Sequence, residues 1–484
     1  MRQRCDTHRA RYLAGLAVLA QLLALHSAAH AAEPTLAREL NSLVGGAARL
    51  GATTGIAVVS IPTGEVLFAR NAGASLVPAS NMKLISGAVA LEELGTDAVF
   101  ATTLATAAPI ESDGTIAGPL VLAGTGDPTL HTEGLVEMAR QLRGLGVRRV
   151  AGDLIVDSNC IADRGMGEGW LTADENRSFA AQISGLCANW NCVEVTVLPG
   201  YQAGAPARVE IEPVTSYVQI EVQATTAARR RATELVIYRD TGQNSLMVKG
   251  TIAVGHEPVT VRRTVHEPDL YVGTVMSEAL LLAGVVVEGQ VRRGVLPAEA
   301  RVLAIHCSAP IGRIFTAMMK YSANLTCEQL YRVASYVRRG RGSEAASEAL
   351  ARSLLQAAGA DVSGLRLADA SGLSKNNRLT ARAMARLLRH MWLRSPYAGA
   401  FFDSLPIAGV DGTLRKRMIG TAAENNLRAK TGTMRGVSSL SGYVTTHDGE
   451  PLCFAILMTG FSGNPSPVKQ VQDRIGGCLA ELRR

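Results

Sequence analysis

The order of apolar and polar positions divides the chain into helical ends and a β-rich middle. Residues 36–50 place apolar side chains at helical spacing, and 55–60 and 66–70 are apolar runs on either side of a Pro-Thr-Gly turn at 62–64. This pattern predicts a helix and then a hairpin of two antiparallel strands. The hairpin leads into a second, apolar helix over about 80–94.

The middle of the chain, about 97–299, alternates short β-rich segments with polar turns, which predicts one or two inserted modules. The pattern after it predicts helices over 311–319, 325–339, 380–392 and 468–482 and strands over 437–445 and 452–459. The strands at each end are too few to form a stable sheet separately. We therefore expect 55–60 and 437–445 to share one antiparallel sheet.

The first 31 residues have the features of a secretory signal peptide. Four arginines precede an almost unbroken apolar run over 13–25, and Ala29-His30-Ala31 follows as a cleavage signal. The apolar run is too short for a dependable membrane span. We expect cleavage after Ala31 or Ala32, no stable transmembrane anchor, and a periplasmic protein.

The composition argues against nucleic-acid binding. The 484-residue chain has a net charge of +7, part of which lies in the leader, and only 4% aromatic residues. A surface that binds single-stranded nucleic acid needs more aromatic side chains among its basic ones. Attraction to an anionic polymer such as the cell wall fits this charge better.

Seven of the eight cysteines follow the leader, so at least one of them has no partner within the chain. Cys187 with Cys192, and Cys453 with Cys478, are the disulfides to test first in an oxidising compartment. The alternative is that most cysteines are small buried apolar residues. The histidines are dispersed and no C-x-x-C occurs, so we expect no metal site and no cofactor.

The apolar helix near residue 80 carries a candidate nucleophile. Ser80 and Lys83 are three positions apart on its first turn, so they share one helix face. A serine hydroxyl needs a base within hydrogen-bond reach, and a buried lysine loses its proton more easily. A capping serine beside a surface lysine would give the same pattern, as Ser466 and Lys469 show.

Two further motifs distinguish Ser80 from such a coincidence. Ser322-x-Asn324 joins two predicted helices, and Lys430-Thr431-Gly432 begins a predicted strand. The order S-x-x-K, S-x-N, K-T-G is the motif set of penicillin-binding proteins and serine β-lactamases.

The chain resembles the class C low-molecular-mass penicillin-binding proteins, the D-alanyl-D-alanine carboxypeptidases and endopeptidases of peptidase family S13. Besides the three motifs, the resemblance rests on four segments: 126–130, Gly169-Trp170 with Asp174, 371–374 and 409–414. The long interval between Ser80 and Ser322 also fits, because this family carries two extra domains there. One departure is Ala323, where the family usually has aspartate.

The resemblance implies an α/β (α+β) fold. It consists of a penicillin-binding/β-lactamase-like catalytic domain, with an antiparallel sheet covered by helices, and two nested β-rich inserted domains. The implied domains are a catalytic domain over 32–97 and 302–484, inserted domain II over 98–174 and 265–301, and nested domain III over 175–264.

The resemblance also implies a role for each motif residue. Ser80 is the nucleophile and Lys83 its base, Ser322 with Lys430 relays a proton to the leaving D-alanine, and Asn324 holds the substrate amide. The remaining substrate contacts are the backbone N–H groups of Ser80 and Thr433 for the oxyanion, and the hydroxyls of Thr431 and Thr433, on either side of Gly432, for the terminal carboxylate.

In the family, a pocket binds the side chain of the third stem residue, and here its residues are Trp170, Asp174 and Met434. A meso-diaminopimelate arm would fit, because Asp174 can bind its ammonium group. A buried tryptophan followed by a helix-capping aspartate would give the same sequence.

The implied partners are peptidoglycan stem peptides and, as covalent inhibitors, β-lactam antibiotics; the oligomeric state stays open. Two other functions also stay open: a serine β-lactamase and a non-catalytic wall-binding protein. A β-lactamase would not need the long insertion, and a binding protein would not need all five of Ser80, Lys83, Ser322, Asn324 and Lys430. The lifetime of a penicillin adduct distinguishes the three functions.

Overall fold

The structure is a computed structural model that describes residues 36–484. The predicted signal peptide lies outside the described residues. Among the described residues, no helix is both long and apolar enough to cross a membrane.

The chain forms ten helices and twenty strands within the described residues. The strands before the third helix are β1 (Thr53–Ser60), β2 (Val66–Arg70), β3 (Ala101–Thr106), β4 (Thr115–Ile116) and β5 (Leu120–Ala123). Those between the third and fourth helices are β6 (Arg149–Val150), β7 (Leu154–Asp157), β8 (Cys192–Leu198), β9 (Arg208–Glu212), β10 (Gln219–Val222), β11 (Thr225–Ala227), β12 (Glu234–Arg239), β13 (Ser245–Ala253) and β14 (Val259–Thr264). The last six are β15 (Val286–Val287), β16 (Val291–Arg293), β17 (Arg301–Cys307), β18 (Arg428–Met434), β19 (Val437–Thr445) and β20 (Pro451–Thr459).

The helices cluster at the two ends of the chain, and only two of them lie among the middle strands. The first is α1, over residues 36–49. The others are α2 (Met82–Leu94), α3 (Thr132–Gly144), α4 (Pro268–Leu282), α5 (Ile311–Tyr321), α6 (Asn324–Arg339), α7 (Glu344–Ala357), α8 (Ala381–Arg394), α9 (Ala398–Ser404) and α10 (Ser466–Glu481).

A five-stranded sheet joins the two ends of the chain. Its strand order is β18-β19-β20-β1-β2, and β1 pairs antiparallel with β20 from Thr53↔Thr459 to Ser60↔Leu452. The sheet therefore contains residues 55–60 and 437–445 together, as expected from the shortage of strands at each end. The hairpin turn between β1 and β2 includes Gly64, whose φ of +80° is a conformation that glycine adopts at little cost.

Helices cover both faces of this sheet. Ile56 and Val58 of β1 pack with α1 and α10 on one face, whereas Ala57 packs with α2 and α5 to α9 on the other. Successive side chains of a strand point to opposite faces, so β1 is apolar at each position of 56–59 because helices cover both faces there. This arrangement confirms the predicted fold class.

The inserted region between α2 and α5 has its own core and four sheets. One sheet has the order β16-β7-β5-β3-β17, and three smaller ones are β15-β6-β4, β14-β8-β9 and β10-β13-β11 with β12 on β13. Helices α3 and α4 pack against these strands, and the β-rich interpretation of the sequence missed both. Because β17 pairs with β3, the inserted sheet extends to Cys307. The boundaries of the catalytic domain and of inserted domains II and III stay a prediction.

The seven cysteines of the described residues are free thiols, in contrast to the two disulfides considered first. Cys187 donates to the carbonyl of Ser184, whereas Cys192 donates to that of Trp190. Cys453 packs in the core on the α8 side of the sheet, and Cys478 lies on the α10 side beside Glu39. The two sulfur atoms of each proposed pair therefore have different neighbours and are not bonded to each other.

Cys307 is the exposed cysteine of this set, so we predict that it reacts first with a thiol reagent under native conditions. Burial raises the pKa of Cys160, Cys187 and Cys327 to about 12, which keeps these thiols unreactive. Peptide mapping after a short labelling pulse measures this order, and Cys307→Ser should remove the fastest reaction. A Cys187–Cys192 disulfide in a non-reduced peptide map would contradict the structure.

Candidate active site

The nucleophile candidate lies in a tight turn that continues directly into α2. Ala79 to Asn81 form a single 3-10 turn, and Ala79 has a left-handed φ of +47°, a conformation that costs a non-glycine residue about 1 kcal/mol or more. Ser80 is half-buried at the mouth of this turn. Lys83 follows on the first turn of α2, and its Nζ lies 3.2 Å from Ser80 Oγ. The i, i+3 spacing therefore places the amine of Lys83 within hydrogen-bond distance of the Ser80 hydroxyl, as the sequence indicated.

Lys83 is fully buried, and three acceptors surround its amine. Besides Ser80, Nζ donates to Oδ1 of Asn324 at 2.7 Å and to the carbonyl of Ser371 at 2.7 Å. Burial lowers the pKa of Lys83, an effect that the charges of Asp369 and Glu328 oppose in part. A lysine in this state is suited to accept the proton of Ser80.

A second lysine and serine form a similar pair nearby. Lys430 is also fully buried, and its Nζ donates to Oγ of Ser322 at 2.8 Å and to the carbonyl of Thr431 at 3.0 Å. Burial, and then the charge of Lys83, hold the pKa of Lys430 well below its usual value. Ser322 ends α5 with a left-handed φ of +61°, which brings its hydroxyl next to Lys430.

Asn324 begins α6 and connects the base to the inserted region. Its Oδ1 accepts from Lys83, and its Nδ2 donates to the carbonyl of Phe179 at 2.8 Å. The amide has two N–H groups, so one remains for a ligand. Ala323 is the N-cap residue of α6 and makes no side-chain capping bond there. An aspartate at this position could have supplied one.

Strand β18 brings the K-T-G motif against the turn of residues 78–81 that carries Ser80, hereafter the nucleophile turn. Asn81 donates from Nδ2 to the carbonyl of Lys430 at 2.8 Å, and Ser439 on β19 donates to the carbonyl of Pro78 at 2.6 Å. A Cβ on Gly432 would lie 2.2 Å from Oγ of Ser439 and 2.9 Å from the backbone nitrogen of Ser80. Only glycine at position 432 allows the strand to approach this closely.

Two buried carboxylates outside the predicted set hold the loop that contacts Lys83. Glu328 accepts from the backbone nitrogen of Ser371 at 2.8 Å. Asp369 accepts from that of Gly372 at 2.8 Å and from Nδ2 of Asn377 at 2.7 Å. The turn-rich run of small and polar residues at 371–377, which includes the segment 371–374 of the family resemblance, was the available signal for this loop. The contacts themselves join segments that are far apart in sequence, so periodicity could not indicate them.

The chain is similar to known proteins over most of its length. The family model described as D-Ala-D-Ala carboxypeptidase 3 (S13) matches residues 36–482. The chain belongs to this S13 family. That match confirms the resemblance inferred from the motifs and the class of enzyme, a serine-type D-Ala-D-Ala carboxypeptidase.

Two curated relatives are a D-alanyl-D-alanine carboxypeptidase of Actinomadura sp. strain R39 and the carboxypeptidase DacB of Haemophilus influenzae. The first is 40% identical over 95% of this chain and 87% of its own length. The second is 26% identical over 85% of this chain and 86% of its own length. The crystal structure of penicillin-binding protein 4 from Haemophilus influenzae is 25% identical and superposes with a TM-score of 0.79, covering 90% of this chain and 99% of that one.

In this S13 chain, a cleft of about 450 Å³ opens in front of Ser80. It brings together the nucleophile turn, the inserted region, the loop after α7 and the end of β18. Its lining includes Ser80, Leu171, Asp174, Phe179, Asn324, Leu373, Lys375, Thr433, Met434 and Arg435. Asp174 and Met434 therefore lie in one cleft with Ser80, and their contact with a third stem residue stays a prediction.

Trp170 lies differently from the prediction, because its side chain does not line the cleft. It is 8% exposed and packs in the core formed by α2 and α5 to α9. Its Nε1 donates to Oδ2 of Asp369 at 2.8 Å. The next residue, Leu171, is 58% exposed and supplies an apolar wall of the cleft instead. Trp170 therefore supports the loop that holds Gly372. The alternative of a buried tryptophan is correct for this residue.

Thr431 and Thr433 differ in position along β18. The hydroxyl of Thr431 donates to Oγ1 of Thr413 at 2.8 Å, whereas Thr433 is exposed in the cleft. Strand β18 is the outermost strand of its sheet, and residues 406–408 pair with the start of its outer edge, where the N–H of Ala429 donates to the carbonyl of Pro406. Among residues 36–484, no group of three or more histidine, cysteine, aspartate or glutamate side chains is placed to hold a metal ion.

We predict that Gly432→Ala slows acylation by a β-lactam, because the new Cβ would push β18 away from Ser80. A displacement of about 1 Å at a reacting group can cost roughly a hundredfold in rate. Stopped-flow measurement of the acylation rate gives the effect. The matched control is Gly399→Ala on α9, where no heavy atom lies within 4 Å of the new Cβ. Equal rates in both variants would contradict the close approach.

Proposed function

We propose that Ser80 attacks the carbonyl carbon of the penultimate D-alanine of a stem peptide. The observation that carries this assignment is that two buried lysines, close enough for the charge of one to lower the pKa of the other, each contact a serine hydroxyl, and that Ser80 lines an open cleft. Lys83 takes the proton of Ser80 as the ester bond forms. The C–N bond to the terminal D-alanine breaks, and Ser322 with Lys430 delivers a proton to the leaving amine. Water then hydrolyses the ester and releases the shortened stem.

The backbone N–H groups of Ser80 and Thr433 are the proposed donors to the oxyanion. A Cβ on Gly432 would lie 2.9 Å from the nitrogen of Ser80, which supports the closeness of β18 to that donor. Such donors contribute about 3 kcal/mol each in comparable sites. The exposed hydroxyl of Thr433 would bind the terminal carboxylate, together with Thr431 after it leaves Thr413.

The same cleft suits a third stem residue with both a charged amine and a carboxylate. Asp174 is half-buried in the cleft wall, and its carboxylate makes no hydrogen bond or ion pair within residues 36–484. Lys375 lines the cleft as a cation, and Leu171 and Met434 add apolar surface. A meso-diaminopimelate arm would place its ammonium on Asp174, its carboxylate on Lys375 and its methylenes on the apolar residues. The periplasm, where the predicted signal peptide would direct the chain, supplies this substrate.

If Ser80 is the nucleophile, penicillin adds one adduct to the protein and none to Ser80→Ala. Ser466→Ala is the matched control, because Ser466 is exposed on α10 and also has a lysine three residues later. Intact-mass analysis over time measures both the site and the adduct lifetime. Persistent acylation supports the carboxypeptidase, whereas rapid loss would indicate a β-lactamase. An adduct on Ser80→Ala would refute the assignment.

For the third stem residue, we predict that Asp174→Asn lowers hydrolysis of a stem peptide with a free side-chain amine by about tenfold. A charge-assisted hydrogen bond is roughly twice as strong as a neutral one. Hydrolysis of the N-acylated peptide and acylation by penicillin should change little. Glu168→Gln is the control, because Glu168 pairs with Arg366 and does not line the cleft. An equal loss for both peptides would mean that Asp174 is structural.

A further inference from the structure

A second groove, of about 540 Å³, lies between the β1–β2 end of the catalytic sheet and helix α8. It shares no lining residue with the active-site cleft. Its floor contains Ala57 and Val59 of β1 with their cross-strand partners Ala69 and Val66 of β2. Directly opposed residues lie on the same face of a sheet. These side chains are small, so space remains between the sheet and the helix.

One wall of the groove is a row of three arginines on α8. Arg382, Arg386 and Arg389 lie at positions i, i+4 and i+7, which share one helix face. Seven residues of helix span about 10 Å. The groove therefore presents three separated cations above an apolar floor.

These arginines have no carboxylate partner within residues 36–484. Arg386 donates to the carbonyl of Gly359, and Arg389 donates from Nε to that of Ile61 at 2.8 Å. The side chain of Arg382 makes no hydrogen bond or ion pair in the described part of the chain. The two carbonyl contacts hold their guanidinium groups in place, and no carboxylate of the described residues lies within ion-pair distance of the three arginines.

The acids near the groove have other partners. Hydrogen bonds from Ser363 lower the pKa of Asp361, and the charge of Arg386 adds to this effect. Asp361 itself does not line the groove. Glu65, next to the groove residue Val66, pairs with Arg484. Like charges four residues apart on a helix repel one another. A bound anion would therefore reduce the electrostatic repulsion among the three arginines.

We propose that this groove binds a short peptide that carries several carboxylates and small apolar side chains. The three separated guanidinium groups suit separate carboxylates along an extended ligand, and the alanine and valine floor suits methyl groups. The lining contains no aromatic or long aliphatic side chain, which disfavours a sugar ring or an acyl chain. In the cell wall this ligand is a second stem peptide, an identity that rests on the proposed function.

Such a site would hold the enzyme on its polymeric substrate while the active site works on a neighbouring stem. Two linked contacts raise the effective concentration of the second one without any new catalytic group. Small synthetic substrates would not benefit from it.

The test uses protein whose Ser80 has first been acylated with penicillin, so that the active site is blocked. The probe is the tripeptide L-Ala-γ-D-Glu-meso-diaminopimelate, which carries three carboxylates, and calorimetry at low salt measures its binding. We expect binding that weakens with added salt and falls about tenfold in Arg382→Gln/Arg386→Gln, roughly threefold for each arginine. Arg394→Gln, an exposed arginine at the end of the same helix, should bind the probe normally.

No binding to the blocked protein, equal binding by the double variant, or equal binding of the fully amidated tripeptide would overturn the proposal. Binding of inorganic phosphate or dihexanoyl phosphatidylglycerol, but not of the tripeptide, would replace the peptide with a phosphate ligand. If the double variant is unstable, the comparison of free and amidated tripeptides on the native protein decides. Failure of Ser80 to be acylated would refute the proposed function alone, because the arginine variants still test the groove.

Discussion

The burial of two lysines is the constraint on which the rest of this structure depends. An isolated buried ammonium costs several kcal/mol unless acceptors surround it. Lys83 finds such acceptors on Ser80, Asn324 and Ser371, and the last two are 241 and 288 residues away in sequence. Lys430 is buried in the same region and disfavours a second charge there. The fold therefore has to close the chain upon itself before either lysine has a favourable environment.

Several residues that create the environment of the buried lysines do not line the cleft themselves. Glu328 and Asp369 do not line the cleft, but they fix the backbone of the loop whose carbonyl accepts from Lys83. Gly372, like Gly432, packs closely against the turn that carries Ser80. With φ at +80°, it lies so close to Ala79 that a Cβ would collide with the carbonyl of that residue. Two segments from other parts of the chain therefore contact the nucleophile turn at positions where only glycine fits.

The inserted region also contributes to the active site. The carbonyl of Phe179 accepts from Asn324, and Leu171 and Asp174 form part of the cleft wall. The motifs that carry the chemistry and the surface that would select a substrate therefore come from different parts of the chain. The arginine groove beside α8 lies apart from both, on the catalytic sheet itself.

The sequence by itself determined the elements that depend on local spacing. The hairpin, the helix beginning after Ser80 and the i, i+3 placement of Lys83 follow from short-range geometry, and the order of three motifs indicated the family. Tertiary structure alone decided the contacts between distant segments. Trp170 illustrates the difference: the family resemblance implied a place in a pocket, but its indole is buried and donates to Asp369, 199 residues away. Periodicity records which face of an element is apolar, whereas the partner of that face depends on how the whole chain packs.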